Sequence, residues 1–490
     1  MARPKAWTLK KRQRAARRGA VTRRKRQQII EQARQKNETG SALLIPFGAW
    51  IEKTIKLKER VETTVSLKKG EQSQFSVPDI VAGLVMAFQT GVVHLKHLSR
   101  LVPEVKLAES IGLPYFFGAT TASERMKQAA PPTIQQMNRL ARGLCVEAVA
   151  EDPGPEIDIV VDTTGHPSDS RYREGVAVGY CNGRKEPCLK SGRVVINGRP
   201  AFVNLYPGNE NPQEPYEKGI AFARLLCRRY PERRVHLGLD TAFVSERHLR
   251  QLHGLATRYE NFRFTLSLPV PDPQSQPART VQLANAKPQK RWKRANHRSR
   301  VVEMGWRKVY RNSQQRSRVV VVETKNDSPT PPPSTQPKKK RPKRRRQRPE
   351  QRYYLIATNY SQSELKAKAV FRRHHRRPVV EFSFNDAKQS YRIQRLPHQK
   401  FLANQMYLLG ITLAQLLGIL YNQRLLPQKT AGSLLATVRV DLWSLPGRLV
   451  TATQIVLDLV YHRYRWVRKV CVSVKIHLGL SIDFAHFDSS

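Results

Sequence analysis

Cysteine is scarce in this 490-residue chain, and its five copies fall at scattered positions: 145, 181, 188, 227 and 471. An odd, dispersed set excludes a disulfide framework. The six residues between Cys181 and Cys188 suit neither a zinc knuckle nor a redox pair. A reduced, cytoplasmic compartment is the economical expectation. Long apolar runs are also missing. The greasiest stretch, residues 407–420, is 14 residues long and contains Gln415, too short and too polar for a membrane span. No apolar signal core opens the chain, so a soluble protein with no membrane partner is expected. Acids are the third shortage, 38 against 87 Lys and Arg, leaving a formal charge of +49. Such an excess calls for a polyanion, and nucleic acid is the default partner. A solvated basic surface, ribosome-like binding and an anionic membrane surface are the alternatives.

The length allows two or three domains. Residues 1–75 form a basic arm whose first 40 residues hold 14 Lys/Arg and two acids. This arm is either disordered or an amphipathic helix that orders on DNA. Residues 76–150 look helical, with Asp79 able to cap one helix. Thr121-Ala-Ser-Glu124 reads as a capping box opening a second helix that exposes Arg125 and Lys127 and ends at Pro131-Pro132. That helix is a DNA-reading element of helix-turn-helix type or an ordinary member of a bundle. From residue 156 the texture becomes α/β. Apolar residues 157–163 predict a strand buried on both faces. Arg193–Ile196 and Ala201–Leu205 predict a hairpin turning at Asn197-Gly198. A helix over 214–229, a strand over Val235–Leu239, a helix from Ser245 and a strand over Phe262–Leu268 complete a mixed sheet.

Residues 270–352 break this pattern. Five prolines lie between Ser328 and Pro337, and nine basic residues between Lys338 and Arg348. An extended, basic insertion is expected there, with only Val301–Tyr310 and Val319–Thr324 as short strands. Structure resumes over 353–430 with a strand at Tyr353, a helix around Glu381 and a long core helix over 398–425. A C-terminal region, 431–490, follows.

Three carboxylates carry the chemistry. Asp162 and Asp240 end apolar strands, in Ile-Asp-Ile-Val-Val-Asp-Thr-Thr and Val-His-Leu-Gly-Leu-Asp-Thr-Ala-Phe. Glu381 lies in His-His-Arg-Arg-Pro-Val-Val-Glu. If one helix holds them all, His374, Arg377, Glu381 and Lys388 share a face. Acids converging from separate elements suit a pair of Mg²⁺ ions, with Mn²⁺ able to substitute, because hard cations take oxygen ligands. Asp162 would bridge both ions, and Asp240 and Glu381 would each complete one. Asp158 and Asp169 compete for the first position and Asp386 for the third. An Asp past a strand also commonly caps a turn, and Arg377 with Glu381 also makes an ordinary i,i+4 ion pair.

The chain resembles insertion-sequence transposases of the DDE, RNase H-like superfamily, in particular the group with a Tyr-Arg-Glu-Lys signature. That signature spaces its residues by two, three and six. His374, Arg377, Glu381 and Lys388 keep every spacing, with histidine in place of tyrosine. The Asp162 segment with Gly175-Val-Ala-Val-Gly-Tyr and Leu205-Tyr-Pro-Gly-Asn is similar to the first-acid region. Asp240-Thr-Ala-Phe is similar to the second-acid turn, and Ala357-Thr-Asn to the strand before the third acid. The resemblance spans roughly residues 78–270 and 350–470. It implies an RNase H-like mixed-sheet core with an N-terminal helical region, a Pro-rich insertion and a C-terminal helical part. It implies catalysis by Asp162, Asp240 and Glu381 with two Mg²⁺ ions, and phosphate contacts from Arg377 and Lys388. Double-stranded DNA, both element ends and target, would be the substrate, cut and rejoined by a homodimeric synaptic assembly at the nucleoid. A nuclease of the same fold without strand transfer is one alternative, and a non-catalytic DNA-binding relic is another. Pro378 predicts that the helix begins near residue 375 and leaves His374 outside it.

Overall fold

The computed structural model describes residues 9–67, 73–170, 172–181, 183–270, 274–311, 313–325, 351–375, 378–426, 433–451, 453–457 and 464–484. The runs rich in Val, Ile and aromatic residues become strands of one ten-stranded mixed sheet. Its longer members are β1 (Glu156–Pro167), β2 (Ala177–Cys181), β3 (Arg184–Ile196), β4 (Arg199–Pro207), β5 (Arg234–Leu239), β6 (Phe262–Leu268), β7 (Ser299–Lys308), β8 (Arg316–Lys325) and β9 (Gln351–Thr358). The spatial order is β2-β3-β1-β5-β6-β9-β8-β7, with β4 on the other edge of β3. β1 is antiparallel to β3 and parallel to β5, and β5 is parallel to β6. The β3–β4 hairpin turns where expected. Asn197 and Gly198 have φ of 47° and 83°, the two positive values that a two-residue turn of type I′ requires.

The helices that matter here are α1 (Leu9–Lys36), α2 (Val77–Gln89), α3 (Ala119–Lys127), α4 (Pro131–Glu151), α5 (Glu214–Arg229), α6 (Glu246–Arg258), α7 (Ala367–His374), α8 (Pro378–Tyr391) and α9 (Phe401–Leu425). Helix α1 makes the basic arm helical from residue 9. Arg26 docks it by donating to the Phe116 carbonyl and lying 5.3 Å from the Tyr115 ring centre. Ser76, one turn before Asp79, is the N-cap of α2, and Asp79 is its capping-box partner.

Helix α5 packs on the β1 face that carries Ile157, Ile159 and Val161. Gly219 permits this approach, because a Cβ there would come within 2.6 Å of Val161 Cγ2. Alanine at 219 gains about 1 kcal/mol of helix preference and meets overpacking worth about 1–3 kcal/mol. Gly219→Ala is therefore expected to lower unfolding free energy by up to about 2 kcal/mol in denaturant titration.

Helix α9 is long and apolar enough to cross a membrane, but 89% of its most apolar window is buried inside the fold. It forms the axis of the core. Its buried amides are used to anchor neighbours: Gln405 accepts from Leu205 N–H and donates to Val203 O at 3.2 Å on β4.

Three expectations need correction. Residues 270–325 are not a mere extended insertion. They contribute a helix (Gln276–Asn285) and the ten-residue strands β7 and β8, which lengthen the main sheet through β9. Their partners are non-local, so composition alone hides the pairing. Residues 326–350, with most of the Pro- and Arg-rich run, lie outside the described residues. The C-terminal region is not simply helical. Strands Gly447–Thr451, Gln454–Leu457 and Ser481–Phe484 form a small sheet with Glu38–Thr39 from the other end of the chain. Finally, α3 begins two residues before Thr121 with Gly118 as N-cap and no side-chain cap, and Pro131-Pro132 open α4 instead of closing α3.

Candidate active site

The parallel register of β1 and β5 pairs Val161 with Leu239 as its last couple. The next residue on each strand is an aspartate. Asp162 and Asp240 thus stand side by side, about 4.8 Å apart in backbone spacing. Asp240 follows the last residue of β5, whereas Asp162, expected to end its strand, lies in the middle of β1, which continues to Pro167 against β3. Asp240 is still extended, with φ −91° and ψ 172°. The pleat therefore turns both side chains to the face opposite Val161 and α5. Both are half-buried. Asp162 Oδ1 accepts from Thr163 N–H at 2.7 Å, and Asp240 Oδ1 from Thr241 N–H at 2.6 Å. Asp240 does cap a turn, but the short one at Thr241–Phe243; α6 is capped by Ser245, whose hydroxyl accepts from His248 N–H at 3.1 Å.

Helix α8 lies along β1 on this same face. Arg193 of β3 is directly opposite Asp162, so their side chains share a face. The Phe384 ring of α8 covers the Arg193 guanidinium, 5.0 Å from ring centre to carbon. Residue 381 is one turn earlier on α8, which brings its backbone to the Asp162 end of the helix; its side chain lies outside what is described. Lys388 is half-buried at the other end of α8, near His166 of β1. His166 is four residues beyond Asp162, about 13 Å along the strand. It is buried between Ser191 Oγ at 2.7 Å and the Ile393 carbonyl at 3.1 Å. Burial, then the charges of Arg193 and Lys388, push its pKa down to about 3.

An imidazole neutral in the folded state and basic near pH 6.5 when unfolded stabilises the fold above that pH. This contribution is lost as pH falls from about 6.5 toward 3, at about 1.4 kcal/mol per pH unit. In His166→Gln the acid-side slope of unfolding free energy is expected to be shallower by that amount, as read by denaturant titrations at several pH values.

The remaining sequence candidates separate clearly. His374 is not on the Glu381 helix. It ends α7, is buried, and lies with Nδ1 3.2 Å from Thr265 Oγ1. Pro378 opens α8, because proline suits a first turn and no interior position. Arg377 lies outside the described residues. Arg125 is only 7% exposed, on the inward side of α3 with Ala122 and Met126, and its Nη1 donates to Gln128 Oε1. It does not offer a charge to solvent as expected. Lys127 is exposed and ion-pairs with Glu124 at 2.8 Å.

Of the rival acids, Asp158 belongs to a structural cluster at the far end of β1. It pairs with Arg373 at 2.6 Å and with His236 Nδ1 at 3.0 Å, and Glu156 takes the other arm of Arg373. Asp169 is exposed beyond the end of β1. Asp386 is 2% exposed, accepts from Ser390 one turn on, and ties α8 to its neighbours through Gln415 and the Leu435 N–H. Sequence reasoning overlooked Arg193, although a lone cation in the apolar run Val-Val-Ile was a visible signal. Its Nη1 donates to Gln415 Oε1 at 2.9 Å, while Nε and Nη2 have no hydrogen-bond partner among the described residues.

Asp162, within β1, and Asp240, just past the end of β5, are hard oxygen donors on adjacent strands, a donor set that fits Mg²⁺. Among the described residues, no three His, Cys, Asp or Glu side chains converge as a metal site. Comparison with known protein families, and with curated proteins, returns no match. Among solved structures, the chain is similar to a piggyBac transposase in its synaptic complex with hairpin DNA. The identity is 11% and the TM-score 0.41, over 83% of this chain and 80% of that one. At that distance the likeness bears on neither the site residues nor the activity.

Proposed function

We propose that this chain is a DNA transposase with an RNase H-like core, acting by metal-dependent phosphoryl transfer at the ends of its element. The observation that carries the reading is the register placing Asp162 beside Asp240, with α8 laid along the same strand. The sheet supports it: four antiparallel strands, β1 to β4, lead into two parallel ones, each reached through a helix. In this scheme Asp162, Asp240 and Glu381 would hold two Mg²⁺ ions, which would supply activation of a water or a 3′-hydroxyl and stabilisation of the leaving oxygen. Lys388, with Arg377, holds the phosphates next to the cut. Asp158 and Arg373 keep the opposite end of β1 in place, so that the strand carrying Asp162 does not shift in register. The net charge of +49 provides the sequence-independent part of DNA affinity. Two element ends cut in concert imply a homodimer.

The test incubates the protein with DNA carrying the flanks of its own gene, with and without Mg²⁺. Metal-dependent cuts at inverted repeats, followed by joining to a second DNA, are expected. Cutting without joining would leave a nuclease, and binding without cutting would leave a DNA-binding relic.

A further inference from the structure

A cleft of about 530 Å³ lies between α4 and α5 beside strand β4. Its floor is apolar, with Phe202 and Phe222, while its rim carries Arg139 and Arg142 from α4 and Lys218 and Arg228 from α5. All four cations are exposed. No carboxylate pairs with Arg139, Arg142 or Arg228 among the described residues; Lys218 is 3.7 Å from Glu214 and lies over the Phe202 ring, 5.7 Å from its centre. Glu214, the one acid of the lining, is held back from the opening by Asn204 Nδ2 at 2.6 Å and the Tyr206 hydroxyl at 2.9 Å. The cleft is therefore cationic with its negative charge already engaged.

The floor also excludes one class of partner. β4 is a sheet edge, where an extended peptide would add by pairing with open N–H and C=O groups. That edge is closed. The Asn138 amide accepts from Val203 N–H and donates to Val203 O, both at 3.0 Å, and Gln405 takes Leu205 N–H. What remains is a row of cations over apolar surface, which fits a sugar–phosphate backbone. Val203 is opposite Arg193, which is opposite Asp162. The cleft is thus level with the acid pair, two strand spacings or about 10 Å away, around the edge of the sheet.

We infer that this cleft is a second DNA-backbone site, binding phosphodiesters other than those at the point of cutting. The inference rests on the nucleic-acid reading above. Its test measures affinity of the full chain for duplex DNA across a series of KCl concentrations, without divalent metal. Arg142→Ala with Arg228→Ala removes two phosphate contacts. The slope of log K against log salt is expected to become shallower by about 1.8. Arg250→Ala with Arg258→Ala, two exposed cations of α6, removes the same charge elsewhere and is expected to leave the slope in place. No change in the cleft variant, or equal change in both, would overturn the site. Loss of poly-glutamate binding with DNA binding intact would give the cleft to an acidic protein partner and overturn it as well. Cleavage by wild type and Asp162→Asn is read in parallel. Cutting lost only in Asp162→Asn sustains the catalytic reading whatever the slopes do, whereas absence of DNA binding in the wild type sinks both.

Discussion

Asp162→Asn is expected to cut DNA about 10³-fold more slowly than wild type, or not at all, and to bind DNA as tightly. The substitution is nearly isosteric. Its side-chain oxygen still accepts from Thr163 N–H, where Asp162 Oδ1 now accepts at 2.7 Å, so the strand keeps its local geometry. What disappears is the charge that would hold a divalent ion. Asp240→Asn is expected to behave alike, since an amide oxygen also caps the Thr241–Phe243 turn. Asp158→Asn provides the contrast. Asp158 is on the same face of β1 but about 13 Å back along the strand, and its carboxylate already neutralises Arg373 and meets His236. That variant should lose stability and keep its chemistry once folded. Equal cleavage by Asp162→Asn and wild type would remove the catalytic assignment, because no other first-position acid combines this register with this exposure.

Much of the core was legible from local pattern. Helix α5 and strand β6 take the expected bounds, 214–229 and 262–268, because a clear amphipathic period and a short apolar run leave little competition. The Asn-Gly turn was equally plain, since few residues tolerate two consecutive positive φ values. Other features depend on contacts that no local window contains. β8 is an apolar strand that ends at Lys325, while its partner β9 begins only at Gln351. The phase of α3 is decided by burial of Ala122 and Met126, which carries Arg125 inward against its polarity. At the site, two adjacent aspartates could be proposed from strand-end position, but their pairing needed the β1–β5 register. That Asp386 points into the core depends on the helix phase that Pro378 sets.

That phase gives Asp386 a role that can be measured. Asp386→Ala is expected to lower unfolding free energy by about 3–5 kcal/mol, the range for stranding a buried charge. Its carboxylate accepts from Ser390 Oγ at 2.7 Å, Leu435 N–H at 2.9 Å and Gln415 Nε2 at 2.9 Å. Burial raises its pKa, and burial lowers that of Arg193 to about 10, with Asp386 as the charge opposing that fall. Removing the acid leaves three donors without an acceptor and the Arg193 guanidinium without its counter-charge. Asparagine should recover only part of the loss. Its oxygen can serve Ser390 and Leu435, but its NH₂ then faces the Gln415 NH₂. Gln415 cannot turn over to relieve this, because its oxygen is needed by Arg193 and its nitrogen by Ser383 O at 2.8 Å. The pair is also expected to be non-additive. Arg193→Met added to Asp386→Leu should cost less than Asp386→Leu alone, since an apolar pair leaves no charge stranded. Simple additivity in that double-mutant cycle, measured by urea titration, would mean that the guanidinium is neutralised elsewhere. The link from Arg193 through α8 to the acid pair would then have to be redrawn.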